Sequence, residues 1–161
     1  MYWTVSDIID VYYRNKQKEN TNMEQEIDEH SEIRKQIADA GYEDSIVYDN
    51  PSFDGAIIGV DINDKTVYEY SLMADEYVMT EFPDIYESGS SDDYYDALEQ
   101  AYEWIDYNTI RATPYMGPLA PVIIAWNPEE EKWYNMITSE DYDINDIVYD
   151  VQKEALKDLE E

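Results

Sequence analysis

Ala56-Ile57-Ile58-Gly59-Val60-Asp61-Ile62-Asn63-Asp64-Lys65-Thr66-Val67-Tyr68-Glu69-Tyr70 holds two β-rich runs on either side of a polar segment. Runs rich in Val, Ile, Thr and Tyr around an Asn-Asp turn predict a β-hairpin. On its C-terminal side, Ser71 is placed to cap a helix running through Phe82, which Pro83 and a loop from Asp84 to Ser90 terminate. A second helix is predicted from Ser91 to about Tyr107. After turns at Pro114 and Gly117-Pro118, Pro121-Val122-Ile123-Ile124-Ala125-Trp126 is the most apolar strand candidate. Asn127-Pro128-Glu129-Glu130-Glu131 joins it to Lys132-Trp133-Tyr134-Asn135-Met136-Ile137 as another hairpin. A last helix is expected from about Asp143, with Ile144, Ile147, Val148, Val151, Ala155 and Leu159 on one face.

On the N-terminal side of the first hairpin, Ile46-Val47-Tyr48 reads as a strand ended by the Asn50-Pro51 turn. Before it, Thr21-Asn22-Met23-Glu24 has the capping-box pattern. The helix it opens carries Met23, Ile27, Ile33, Ile37 and Ala40 on one face and stops at Gly41. A short helix starting at Thr4 or Ser6, with Val5, Ile8, Ile9 and Tyr12 together, fades into the polar segment from Arg14 to Asn20. The sum is one α+β domain over residues 1–161, a small antiparallel or mixed sheet covered by several helices.

Charge is distributed unevenly along this frame. Acids outnumber bases by eight to five in residues 1–35, by nineteen to one in 36–110 and by twelve to four in 111–161, for a net charge of −29. Such a field raises self-repulsion and steers cationic partners toward the surface. It disfavours binding to nucleic acid or to an anionic membrane. Within the acidic middle, Asp92, Asp96, Glu99, Glu103 and Asp106 follow one another at steps of four, three, four and three. On a helix these positions share one face, each step rising about 4.5–6 Å, against about 3.4 Å between phosphates along a strand. The two charge densities are of the same order, so the stripe is a candidate imitation of nucleic acid. Glu103 and Asp106 also oppose the dipole at their helix's C-terminal end, a cost that favours a role for them.

Little in the chain points to catalysis. There is no cysteine and a single histidine, His30, which falls beside the apolar face of its helix and reads as a boundary residue. No phosphate-binding glycine loop, zinc-binding His-Glu-x-x-His or nucleophile elbow occurs. Asp141-Tyr142-Asp143-Ile144-Asn145 begins like a calcium loop, but Asp146 stands where glycine is required and Gln152 where the bidentate glutamate belongs. It reads instead as a helix start. No enzyme activity, cofactor or metal site is therefore expected. Tyrosine is abundant, at seventeen residues, and Tyr94, Tyr95, Tyr102 and Tyr107 interleave with the stripe. Tyrosine supplies rigid amphipathic area suited to interfaces. Arg111, isolated among these acids, is expected to pair with a carboxylate. The first residues lack the basic and apolar runs of a leader and no apolar stretch reaches membrane-spanning length, so a cytoplasmic protein is expected.

Two resemblances add to this reading. Residues 103 to 124, Glu-Trp-Ile-Asp-Tyr-Asn-Thr-Ile-Arg-Ala-Thr-Pro-Tyr-Met-Gly-Pro-Leu-Ala-Pro-Val-Ile-Ile, are similar to a family of small phage and bacterial proteins of unassigned function. So are Gly41-Tyr42-Glu43-Asp44-Ser45-Ile46-Val47 and Ala56-Ile57-Ile58-Gly59-Val60. The resemblance covers about residues 30–126 and carries no known chemistry. Against that core the chain adds a helical arm over about 1–20, a Tyr/Asp-rich insertion near Pro83 to Asp93, and a hairpin plus helix over 127–161. In size, charge and charge spacing the chain also resembles phage-encoded DNA mimics, including acidic anti-CRISPR proteins that block Cas9 and anti-restriction proteins.

Together these readings predict an inhibitor of phage origin, acting in the host bacterial cell, that occupies the nucleic-acid channel of a defence nuclease, Cas9 first among them. The partner-binding residues expected are Asp75, Glu76, Glu81, Asp84, Glu87, Asp92, Asp93, Tyr94, Tyr95, Asp96, Glu99, Glu103 and Asp106. The alternative is an acidic adaptor or assembly protein that binds a basic protein without inhibiting a nuclease.

Overall fold

Trp3–Thr4 (β1) pairs antiparallel with Ile46–Val47 (β2) in a separate two-stranded sheet. Thr4, read above as a possible helix cap, thus lies in a strand. The computed structural model describes residues 3–5 and 29–160. The helical positions expected at Ile8, Ile9 and Tyr12, the cap at Thr21 and the apolar positions Met23 and Ile27 lie outside those residues. Glu29–Ile37 (α1) runs into a wide turn, Ala38–Tyr42, in which Gly41 takes φ 99°. A positive φ at that point suits glycine, which has no Cβ to collide with the neighbouring carbonyl.

Pro51–Ala56 forms a 3₁₀ segment that leads into Ile57–Asp61 (β3), and β3 pairs antiparallel with Thr66–Glu69 (β4). The expected hairpin is therefore present. Asp61 Oδ1 accepts from the Asn63 and Lys65 amides at 2.9 and 3.1 Å, and Asp64 adopts φ 61°. These side-chain bonds add to the backbone bonds of the turn, in which the Asp64 amide donates to the Asp61 carbonyl at 3.0 Å and the Asp61 amide to the Lys65 carbonyl at 2.9 Å.

Three helices follow without an intervening strand: Tyr70–Glu81 (α2), Pro83–Ser88 (α3) and Ser91–Ile105 (α4). The start of α2 differs from expectation. Its cap is Glu69, whose Oε2 accepts from the Leu72 amide at 2.7 Å, while Ser71 donates to the same oxygen. The loop expected after Pro83 is instead α3; proline at the first helical position has the right φ and loses no hydrogen bond there. The chain then returns as Val122–Asn127 (β5), parallel to β4, and turns into Lys132–Asn135 (β6), antiparallel to β5.

The C-terminal helix expected from about Asp143 is much shorter. Ile147–Asp150 is a strand (β7) on the far side of β3, and only Ala155–Leu159 (α5) is helical. Asp143, within the failed calcium pattern, caps the 3₁₀ turn Ile144–Asp146 by accepting from the Asn145 amide. Alternation explains the strand: Ile147 is buried, Val148 is 56% exposed and Tyr149 is half-buried. β-Branched and tyrosine side chains that alternate in burial at period two fit a pleated edge better than a helix face. Gly59 permits this pairing, because a Cβ there would overlap the Tyr149 carbonyl oxygen.

The five-stranded sheet thus has the order β6-β5-β4-β3-β7, antiparallel except at β4–β5. Successive residues face opposite sides, except where the register of β3 shifts between Ile57 and Gly59. Ile57, Val60, Tyr68 and Ile123 pack with α1, α2 and α4, whereas Ile58, Val67, Val122 and Ile124 pack on the other face with Trp133, Ile147 and Leu156 of α5. Inside the larger core lies a polar chain. Arg34, 4% exposed, donates to the Tyr48 carbonyl and forms an ion pair with Asp54, which is fully buried. The Tyr48 amide donates to the Tyr68 hydroxyl at 3.1 Å, and the Tyr48 hydroxyl meets Thr113 Oγ1 at 2.7 Å. Since Thr113 Oγ1 already donates to the Thr109 carbonyl, Tyr48 is the donor to it. These bonds tie α1, β2 and β4 to the turn beyond α4.

Candidate functional site

The stripe from Asp92 to Asp106 lies on one helix. Ser90 caps α4 by accepting from the Asp93 amide at 3.2 Å, satisfying a donor that the first turn leaves free. Asp92 and Asp93 then sit in that turn, where the helix dipole favours negative charge. Ala97, Ala101 and Ile105 form the buried side, and the two alanines allow close approach to the core. Asp92, Asp96, Glu99, Glu103 and Asp106 are all exposed on the other side. Fourteen helical residues span about 21 Å at roughly 1.5 Å each. Asp106 opens a π turn, Asp106–Ile110, that ends the helix. Leu98, Tyr102 and Trp104 are half-buried against the core beside Ile105, whereas Tyr95 is 66% exposed.

The other expected residues divide into two groups. Glu81 at the end of α2, with Asp84 and Glu87 on α3, is exposed like the stripe, and so are Asp93 and Tyr95. Asp75, Glu76 and Tyr94 are half-buried and engaged within the fold. The Tyr94 hydroxyl donates to Asp75 Oδ1, and the Glu76 carboxylate lies where a Cβ on residue 55 would be, so that Gly55 makes room for it. At the other end of α4 the Tyr70 hydroxyl donates to Asp106 Oδ1 at 2.6 Å, and the Tyr70 ring rests on Tyr102 with centroids 4.6 Å apart. Each of the two helices thus donates one tyrosine hydroxyl, Tyr94 of α4 to Asp75 of α2 and Tyr70 of α2 to Asp106 just beyond α4. Burial, reinforced by the bonded carboxylate, raises the pKa of Tyr94 and of Tyr70 well above the ordinary tyrosine value.

Two features of this face were not anticipated from sequence. Tyr86 on α3, 42% exposed, continues a ladder of rings through Tyr94 to Tyr95, with centroid separations of 6.5 and 6.1 Å. The density of tyrosine between Ile85 and Tyr95 was the available signal, but its geometry depends on α3 being helical. Arg111 does not pair with a carboxylate among the described residues; its guanidinium lies over the Tyr107 ring, 4.9 Å from the centroid. A planar cation on a ring face is a favourable arrangement, and it shows how a tyrosine of this surface receives an arginine.

Between Lys65 and Arg111 there is no basic residue, so nothing within α2, α3 or α4 neutralises these acids. No group of three or more His, Asp or Glu among the described residues is arranged to hold a metal ion. A cleft of about 340 Å³ opens near the π turn, where Phe53, Trp104, Tyr115 and Met116 form apolar walls and Asp49 is its one carboxylate. Among the described residues no helix is long and apolar enough to cross a membrane. Comparison with family models, with curated proteins and with solved structures finds no match.

Proposed function

We propose that this chain is an acidic DNA mimic that inhibits a host defence nuclease, Cas9 being the preferred target, by occupying its nucleic-acid channel. The observation that supports the reading is the exposed run of Asp92, Asp96, Glu99 and Glu103 along α4, continued by Asp106 at its C-cap, on a helix that contains no basic residue and whose opposite side is anchored in the core. Cas9 reads its short DNA signal with arginines and holds strands in a positive channel. Carboxylates fixed on a rigid helix compete for such groups with little ordering cost at binding. Glu81, Asp84 and Glu87 would extend the anionic surface, while Tyr86 and Tyr95 would offer ring faces to arginines of the partner.

The test is competition. A mimic displaces target DNA from the nuclease, whereas an adaptor that binds a basic protein elsewhere leaves DNA binding unchanged. Affinity is expected to fall steeply with added salt, because exposed charges more than about 10 Å apart are screened at 0.1 M ionic strength. Replacing Asp92, Asp96 and Glu99 together by Lys is expected to abolish inhibition of DNA cleavage and to leave the helical circular-dichroism signal unchanged. Inhibition that survives this triple change, or that persists at 1 M NaCl (roughly a 3 Å screening length), would remove the stripe from the mechanism.

A further inference from the structure

The second face of the sheet carries a different arrangement of rings and acids. Trp126 and Trp133 are directly opposed across β5 and β6, with ring centroids 5.4 Å apart, and both pack in the smaller core. Beside them opens a groove of about 550 Å³, walled by these two indoles, Tyr142 and Ile144, and rimmed by Glu131, Asp141, Asp143 and Glu160. Trp133 is 4% exposed and its Nε1–H donates to Glu160 Oε1 at 2.9 Å, which fixes that carboxylate at the ring edge. Lys132 is the single cation of the lining, and it is engaged with Asp141 at 3.3 Å. The groove is thus a set of electron-rich ring surfaces enclosed by an excess of negative charge.

We propose that this groove binds an arginine side chain of a basic protein segment. A guanidinium is flat enough to stack on an indole and presents donors to carboxylates at its edge, and it is less strongly hydrated than an ammonium. Trp126 supplies the stacking surface, and Glu131 and Glu160 supply acceptors at the rim. The site lies on the opposite side of the sheet from α4, so it is separate from the stripe. It therefore stands or falls independently of DNA mimicry.

The full chain is titrated with N-acetyl-arginine methylamide while the indole N–H signals are followed by NMR, the neutral isostere N-acetyl-citrulline methylamide serving as control. Saturable shifts of the Trp126 and Trp133 signals by the arginine probe are expected, with Trp104 unmoved and the citrulline probe silent. Trp126→Leu is expected to remove the response. Glu131→Gln with Glu160→Gln, which keeps an acceptor for Trp133 and so preserves the fold, is expected to weaken binding by about fivefold, as the loss of two exposed ion pairs would. The stripe variant Asp92→Asn, Asp96→Asn, Glu99→Gln is expected to bind as the parent does. Equal shifts from citrulline, non-saturating shifts shared with Trp104, or loss of the response in the stripe variant would each overturn the proposal.

Discussion

Arg34 Nη2 donates to the Tyr48 carbonyl at 3.1 Å and to Asp54 Oδ1 at 2.6 Å, so one buried cation joins α1 to β2 and to the 3₁₀ segment before β3. Removing one member of a buried ion pair leaves the other charge in a medium that solvates it poorly. Arg34→Met is expected to lower unfolding free energy by about 3–5 kcal/mol, read from urea denaturation. Adding Asp54→Asn to that variant is expected to restore part of the loss, because the orphaned charge is then gone.

The hydroxyl clasps between α2 and α4 make a second expectation. Tyr94→Phe and Tyr70→Phe each delete a hydrogen bond to a carboxylate, at about 1–2 kcal/mol apiece. Both hydroxyls, and those of Tyr48, Tyr68 and Tyr142, have pKa values raised chiefly by burial. A tyrosine whose folded pKa exceeds its unfolded one contributes stability that is complete below the unfolded pKa and is lost as pH rises toward the folded value. Stability should therefore decline as pH rises beyond 10.0, the ordinary tyrosine value. Spectrophotometric titration should show these buried tyrosines ionising only as the fold is lost.

Glu69 behaves in the opposite sense to most carboxylates. Burial raises its pKa above the ordinary 4.5, although the bonds from Ser71 and Leu72 partly offset this. Between 4.5 and the raised value the folded state holds the proton more tightly than the unfolded chain, so acidification through that window stabilises the protein. Glu69→Gln keeps an acceptor for the Leu72 amide and removes the ionisation. The variant should lose this contribution to the pH dependence of thermal unfolding, while its helix content is unchanged.

Glu103 allows stability and binding to be moved in opposite directions. It lies in the last turn of α4, exposed, four residues after Glu99 and three before Asp106. Glu103→Lys replaces repulsion by attraction and suits the helix C-terminus, a gain of about 0.3–1 kcal/mol. On the mimicry reading the same change should weaken nuclease binding. A variant that unfolds at higher temperature and inhibits less well would separate a binding role for this carboxylate from a structural one.

Periodicity disclosed those parts of the fold whose partners are near in sequence. The hairpin at Asn63-Asp64 and the exposed and buried sides of α4 follow from residues two to four positions apart. β7 was hidden because Ile144, Ile147, Val148 and Val151 fit a helical spacing as well as an alternating one, and the choice is made by β3, more than eighty residues earlier. Arg34 was hidden for the same reason: its partners Tyr48 and Asp54 lie beyond a helix end and a turn. The acidic stripe was legible because it is local. The ring ladder through Tyr86 was not, since it needs α3 to be helical and folded against α4.

The single parallel pairing among the described residues, β4 with β5, has a kinetic consequence. Those strands cannot meet until residues 70 to 121 have been gathered into one connection, and that stretch carries eleven carboxylates against one arginine. Closing so long a loop is slow on entropic grounds, and mutual repulsion within it raises the barrier further. Refolding should accelerate as added salt screens the loop, in the same range of ionic strength over which a charge-dominated complex weakens. The surface that would recruit a partner is also the segment that delays the sheet's completion.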